Sequence, residues 1–468
     1  VRILVVPAVL VLAACGAPSP STDGSFNLVI LSIDTLRPDH LGCYGYHRNT
    51  SPNLDLLARR SAVFDQAVTV HVTTAPAHGS ILTGRYPGGH GILRNGMRLT
   101  EGVPTLADHL GDRGWATGGF VSGWTLQRHT GLDRGFSIYD DRLGEPRYGA
   151  GARRAGIATT GAALAWLENR IRADERFFLF LHVFEPHWPY EPPAEDALQF
   201  LPGQSELTTL GKPLNLARLL ELNRLSEPEQ AEFTARYDGE ILVADRLLGH
   251  LLGLLETMDA VGNTVLIVLS DHGETLFERE WTMDHGARPY EEQVRVPLIL
   301  HIPGDRSAGR RVPDQVSLID ITPTVLDILG IEPPEGVQGR SLLPLARGEA
   351  ADPSPRPAFI TARTEPQRLP RVTEPLAKGA LARAIRLPGI KLVEYPTTER
   401  RWHPELYSLV DDPGETEDLV DAMFDTAASL HRELERWQTT SGIDPFTPAP
   451  QLEPDVEAAL RVLGYIDD

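Results

Sequence analysis

Residues 264–274 read TVLIVLSDHGE: an unbroken apolar run that stops abruptly at acid and imidazole. A half-exposed strand alternates polar and apolar residues, whereas a strand covered on both faces of a parallel sheet has no need to. Two other stretches have the same form. Asn27 to Ile33 (NLVILSI) runs into Asp34, and Phe177 to Phe184 (FFLFLHVF) runs into Glu185 and His187. In open α/β sheets the ligand crevice lies beyond the carboxyl ends of the strands. Asp34, Glu185, His187, Asp271 and His272 are therefore expected to converge on one site.

Between these strands, Ala158 to Arg172 and Tyr237 to Leu255 carry apolar residues at three- and four-residue spacing, the mark of an amphipathic helix. Strand and helix alternation of this kind predicts a sheet with helices on both faces. Glu195 to Gln230 reads as a polar insertion that overhangs the site. From Pro353 the chain turns to proline-rich connectors, short strands (Ala358 to Ala362, Ala384 to Tyr395) and a helix near Leu419 to Trp437. This predicts a catalytic domain over 27–352 and a smaller subdomain over 353–468, with no fixed-period repeat.

The chain has 64 acidic against 44 basic residues, a formal charge of −20. That excludes a nucleic-acid surface, which needs a basic stripe, so an anionic substrate must be drawn in locally by metal or helix dipole. Val1 to Ala14 is apolar apart from Arg2, too short to span a bilayer but suited to a signal peptide. Leu12-Ala13-Ala14-Cys15 resembles the bacterial lipobox, which implies cleavage before Cys15 and acylation of its thiol. Residues 15–26 then form a flexible tether. The expected product is an exported cell-envelope lipoprotein held to a membrane by its N-terminal lipid; an ordinary signal peptide with a chance cysteine is the alternative. Cys43 would be the remaining thiol, so no internal disulfide can form.

The chemistry-bearing stretch runs from Thr74 through Pro76 and His78 to Thr83-Gly84-Arg85. Thr74 is expected to cap a helix that tolerates an early proline, so that its hydroxyl stands beside unpaired N–H groups at the positive helix end. His78, four residues on, shares its helix face. The segment resembles the sulfatase active-site motif, in which a cysteine or serine becomes formylglycine, proline follows two residues later, arginine four later, and Thr-Gly-Arg closes the helix. Asp34 with Arg37-Pro38-Asp39-His40-Leu41-Gly42, Glu185-Pro186-His187, Ser270-Asp271-His272-Gly273-Glu274, Arg295-Val296-Pro297-Leu298, Asp320-Ile321-Thr322-Pro323-Thr324 and Leu406-Tyr407-Ser408-Leu409 extend the likeness in order along the chain. The resemblance implies the sulfatase branch of the alkaline phosphatase superfamily. Its fold is a three-layer α/β/α sandwich with a mostly parallel central sheet and a smaller C-terminal α+β subdomain.

The departures from that pattern carry as much weight. Thr74 stands at the nucleophile position and cannot be converted to formylglycine, and His78 replaces the arginine. Thr35 stands where many calcium-dependent relatives carry a second aspartate. The usual lysine near Tyr290 is absent, and His285-Gly286 occupies its neighbourhood. Fewer carboxylates and more imidazole favour zinc or manganese over calcium. On this reading Asp34, Asp271, His272 and the Thr74 oxygen hold one ion, with His285, Glu185 and His187 as candidates for a second. Thr74 is the nucleophile, with His78 beside it and His187 assisting the leaving oxygen.

A threonine ester cannot expel its group by reverting to an aldehyde, which leans the reading towards phosphodiester or other phosphoryl chemistry. The alternatives are a true sulfuric ester hydrolase, a phosphoglycerol- or phosphoethanolamine-type headgroup transferase, and a catalytically silent lipoprotein that binds an anionic glycan. Mass spectrometry of the mature N-terminus is expected to find it at an acylated Cys15, with Cys15→Ala released or left uncleaved. A different cut site with an unmodified thiol would remove the lipoprotein assignment.

Overall fold

Burial on both faces is what makes the three apolar runs strands. In a strand successive side chains point to opposite faces. Leu28, Ile30, Phe178, Phe180, Val265 and Ile267 thus enter one core, while Val29, Leu31, Leu179, Leu181, Leu266 and Val268 enter another on the far side of the sheet. The computed structural model describes residues 26–144, 153–204, 226–278, 285–349, 356–363, 375–441, 446 and 456–457. Cys15, the signal and nearly all of the tether, and the expected boundary at 352–353 lie outside them.

Among the described residues nine strands form the large sheet: β1 (Asn27–Ile33), β2 (Ala62–Val68), β3 (Ala116–Phe120), β4 (Ile138–Asp140), β5 (Phe177–Val183), β6 (Thr264–Leu269), β7 (Arg295–Val296), β8 (Leu298–His301) and β9 (Arg311–Ser317). Their order is β4-β3-β5-β1-β6-β8-β2-β7, with β9 paired to β2. The segment from β4 through β6 is parallel throughout, and β8 and β7 bring in antiparallel pairs. One face is covered by α1 (Thr74–Thr83) and the other by α2 (Gly156–Arg172) and α3 (Glu227–Thr257). A further helix, α4 (Ile321–Ile328), packs beside α1.

Two boundaries differ from the sequence expectation. The leucine periodicity marks α3 from Tyr237, but the helix starts ten residues earlier at Glu227. Ser226 donates its N–H to Glu229 at 2.8 Å and Pro228 sits in the first turn, so local capping starts the helix before its apolar stripe begins. The end of the expected polar insertion is therefore helix. In the C-terminal part, Ala384 to Tyr395 is two strands, because Gly389 takes a φ of +90° and turns the chain back. The strands β10 (Ala358–Arg363), β11 (Leu381–Leu387), β12 (Ile390–Pro396) and β13 (Trp402–Ser408) form an antiparallel sheet in sequence order. Helix α5 (Phe424–Ser441) lies on it, with Trp437 stacked on Phe359 at 4.9 Å.

The small sheet leans against the chain just before α1. Thr361 donates its N–H to Val70 O at 2.9 Å, and an isolated bridge joins Thr361 to His71. Within α1, Gly79 lets His90 come close: a Cβ built there would fall 2.6 Å from His90 Cε1. The His90 ring cannot swing aside, because Nδ1 accepts from Ile92 N at 3.2 Å and Nε2 donates to Ser80 Oγ at 3.0 Å. Gly79→Ala should therefore cost about 1–3 kcal/mol by overpacking, although alanine in an open helix would gain roughly 0.5–1 kcal/mol. A melting temperature at or above wild type would show that the ring yields.

Candidate active site

Parallel register brings the acids together. Ser32 pairs with Leu269 across β1 and β6, so Asp34 and Asp271 leave neighbouring strands at the same end of the sheet. Asp34 N–H is tied to Val183 O at 3.1 Å, and Thr35 takes a φ of +54° as the chain turns. Leu36 N–H then donates to Ser270 Oγ at 2.9 Å. The result is a buried group of Asp34, Asp271 and His272 whose ligand atoms all lie within 4.8 Å of one another. From the opposite side α1 delivers Thr74, fully buried, with Oγ1 3.5 Å from His272 Nε2. Thr74 is the first helical residue and not the cap: Thr73 holds the extended cap position, and its hydroxyl is taken by His71 Nδ1 at 2.9 Å.

The imidazoles around this group are fixed in tautomer by what their Nδ1 atoms meet. His272 Nδ1–H donates to Gly273 O at 3.0 Å and His285 Nδ1–H to Glu274 Oε1 at 2.8 Å. His187 Nδ1–H donates to Trp188 O at 2.5 Å. Each keeps an unprotonated Nε2, the form that binds metal, and the carboxylate behind His285 is the usual support of a metal-binding histidine. The rings lie in sequence, His272 to His285 at 4.4 Å and His285 to His187 at 5.0 Å. Burial, then His285, hold His187 well below the ordinary imidazole pKa.

His78 is tied at both ends, Nδ1–H to Thr74 O at 2.8 Å and Nε2 from Ser32 Oγ at 2.8 Å, and burial pushes it down to about 4. It braces the backbone of Thr74. Glu185 Oε1 accepts Gly156 N–H at 2.9 Å at the start of α2, while its Oε2 is buried with no hydrogen-bond partner and its charge acts on His182. The three-residue group does not include it. Two residues that sequence reasoning passed over do belong here. His182, from the carboxyl end of β5, puts Nε2 3.3 Å from Asp34 Oδ2, and burial lowers it to about 4. Its signal was a lone histidine in an otherwise apolar run. Glu274, which supports His285, was legible only as the end of the Asp-His-Gly-Glu string.

The donor set fits a divalent cation. Both oxygens of Asp34 and Oδ2 of Asp271 are buried with no hydrogen-bond partner, an arrangement that buried carboxylates avoid unless something else satisfies them. Burial first, then repulsion from Asp271, raises Asp34 well above the usual carboxylate range. Burial also pushes Asp271 upward, but the imidazoles of His272, His78 and His182 outweigh it and leave the group lowered.

Comparison with known families follows this geometry. The Sulfatase family model matches residues 26–331, and a second model, the N-sulphoglucosamine sulphohydrolase C-terminal region, matches 280–440. The chain belongs to the sulfatase family. Its similarity to an ulvan-active sulfatase of Formosa agariphila is 24% identity over 69% of this chain and 65% of that enzyme. To an N-acetylglucosamine-6-O-sulfatase of Bacteroides thetaiotaomicron it is 23%, over 88% and 86%. Among solved structures, BT4656 in complex with D-glucosamine-2-N,6-O-disulfate superposes with a TM-score of 0.73 at 21% identity, over 90% and 99% of the two chains. The phosphonate monoester hydrolase of Agrobacterium radiobacter superposes at 0.69 and 22%, over 88% and 95%. The sulfatase fold, a large mostly parallel sheet with a C-terminal antiparallel sheet, is common to all.

This family member carries an uncompensated acid pair when free of metal, which gives a signed prediction. A folded-state pKa raised above the unfolded value contributes stability that is present below the unfolded carboxylate pKa and is lost as pH rises. In chelator-treated protein Asp34→Asn should therefore melt above wild type, by a margin that widens from pH 5 to pH 8. Added divalent metal should raise the wild-type melting temperature and leave the variant unmoved. A variant less stable than wild type at pH 8 would contradict the assignment of Asp34.

Proposed function

We propose that this sulfatase-family hydrolase cleaves anionic esters through a covalent threonine ester, and that phosphodiesters are its better substrates. The observation that carries this reading is Thr74 Oγ1 at 3.5 Å from His272 Nε2, beside the buried Asp34 and Asp271. Threonine at this position cannot become the aldehyde hydrate through which formylglycine enzymes release sulfate. A second attack, by water on phosphorus, is the route left to it. The fold does not choose, since it also accommodates a phosphonate monoester hydrolase and an enzyme with a sulfated sugar.

Asp34, Asp271 and His272 would hold one divalent ion, zinc or manganese ahead of calcium given the imidazole donor, and His285 and His187 offer unprotonated Nε2 atoms for a second. Such an ion supplies Lewis acidity, lowering the pKa of a bound hydroxyl and drawing charge from an ester oxygen. The protein's own part is positional. α1 and the His78 bond to Thr74 O fix the attacking oxygen, which forms a bond to phosphorus as the ester's leaving oxygen departs. Water then breaks the threonine ester in line, releasing the phosphate monoester and restoring the hydroxyl. An alcohol in place of water would make the same intermediate a transferase, so a headgroup acceptor is the second reading. With lipid on Cys15 the reaction would take place at the cell envelope.

The test is a panel of aryl phosphodiester, phosphomonoester and sulfate ester with wild type, Thr74→Ala and Thr74→Ser. Thr74→Ala should lose at least about 10³ in turnover, while Thr74→Ser keeps measurable activity and intact mass reveals the trapped intermediate. Full activity in Thr74→Ala removes the covalent mechanism, and faster sulfate cleavage removes the phosphoryl preference alone. Elemental analysis of the purified protein, with chelation and add-back, is expected to return zinc or manganese; rescue by calcium alone would count against it.

A further inference from the structure

His182 is the one polar side chain in β5, which is otherwise apolar and buried from Phe177 to Val183. It pairs with Ser32 of β1, so its ring enters the same side of the sheet as Ser32, the side covered by α1. The residue has no exposed surface, and neither Nδ1 nor Nε2 has a hydrogen-bond partner. The polar side chains on that side are already engaged. Ser32 Oγ is bound to His78 Nε2 at 2.8 Å, and His78 Nδ1–H to Thr74 O at 2.8 Å. The His78 ring stands edge-on at 5.2 Å, and a Cβ built on Gly123 would meet His182 Cε1 at 3.5 Å. An apolar side chain would fill this place without burying two ring nitrogens, so the imidazole calls for a partner.

What His182 faces is Asp34. Its Nε2 lies 3.3 Å from Asp34 Oδ2, and that oxygen too is buried with no hydrogen-bond partner. The other oxygen, Oδ1, faces a different imidazole, 3.9 Å from His272 Nε2, which is itself 3.3 Å from Asp271 Oδ2. The two oxygens of one carboxylate are thus divided between two histidines. His272 has its Nδ1–H committed to Gly273 O and turns a bare Nε2 to the acid pair, whereas the His182 ring is free to carry its proton on Nε2. The His182 contact has nearly the length of a hydrogen bond but not its alignment, and the terminal torsion of histidine is soft enough to supply it.

We propose that His182 is a positioning residue that selects the cation: its Nε2–H donates to Asp34 Oδ2 and leaves Asp34 a one-oxygen ligand through Oδ1. Calcium takes about six to eight oxygen ligands and draws on both oxygens of a carboxylate where it can. Zinc is served by about four donors, imidazole among them. Withholding one oxygen of Asp34 starves the site for calcium and still leaves Oδ1, Asp271 and His272 Nε2 for the smaller ion. The inference rests on the reading that Asp34, Asp271 and His272 hold a divalent cation, and is independent of which ester is cleaved.

The test is calorimetric binding of zinc and of calcium to the full-length protein, freed of metal by chelator, for wild type, His182→Ala and His182→Gln. Circular dichroism and melting verify each fold. Alanine removes the donor, while glutamine keeps an N–H at a similar reach. Zinc affinity in His182→Ala should fall about 10- to 100-fold, the loss typical of removing the partner behind a metal ligand, with calcium affinity held or raised. His182→Gln should keep the wild-type preference for zinc. In magnetic resonance of zinc-loaded protein with isotopically labelled histidine, the ring signal lost in both variants should show its proton on Nε2. Equal losses for both ions in His182→Ala would make the residue merely structural and overturn the proposal, as would an unchanged preference there or a glutamine variant that behaves as alanine does. A bare Nε2 in the zinc-loaded protein would overturn it too, since His182 would then be a ligand itself. A wild type that binds neither ion fails the underlying cation reading and the proposal with it; each of the other adverse results leaves that reading standing.

Discussion

Two carboxylates forced side by side by parallel register set the terms for everything around them. Asp34 and Asp271 cannot separate, because β1 and β6 are hydrogen-bonded neighbours with both faces buried. With ligand atoms inside 4.8 Å, like charges repel by about 3–4 kcal/mol at an effective dielectric near 20. The imidazoles of His272, His78 and His182 favour the charged form of Asp271, whereas Asp34 stays raised by burial and by Asp271. The raised pKa of Asp34 expresses that repulsion, and the three ligand atoms gathered there form a candidate site for a divalent cation.

Thr74 is set by different forces. α1 packs Ala75, Ile81 and Leu82 into one core of the sheet, and this fixes where Thr74 emerges. Its first turn has few donors to spare, since Pro76 has none and Ala75 and Ala77 are engaged.

The C-terminal sheet supports the same centre from outside. Tyr290 donates to Glu405 Oε2 at 2.9 Å, and Glu291 is gripped by Arg386 and Lys391 at 2.9 and 3.1 Å. Arg363 N–H donates to Gly286 O at 3.1 Å. Together these contacts pin the segment that carries His285, whose ring could not otherwise hold its place beside His272. Lys391 is fully buried between Glu291 and Glu415. Removing one partner would strand a charge, so this clamp resists loosening.

Much of this was legible in the chain itself. Unalternating apolar runs ending in Asp34, Asp271 and His272 announce buried parallel strands with a site at their carboxyl ends, because the two-faced burial and the crevice rule are both local in their signature. The Thr74 to Arg85 motif announced the helix Thr74–Thr83 for the same reason. The boundaries at Glu227 and Gly389 were equally present as Ser-Glu-Pro-Glu and Pro-Gly, and a reading by apolar period alone overlooked them. What only the tertiary structure decided was direction. It joined Glu185 Oε1 to the start of α2, brought His182 across to Asp34, and joined Asn95 to Ala75. Each outcome depends on which neighbour supplies the matching donor or acceptor, and that neighbour lies 20 or more residues away. Sequence spacing records the presence of such groups, whereas their partnership is settled by the packing of helices and strands that share no local pattern.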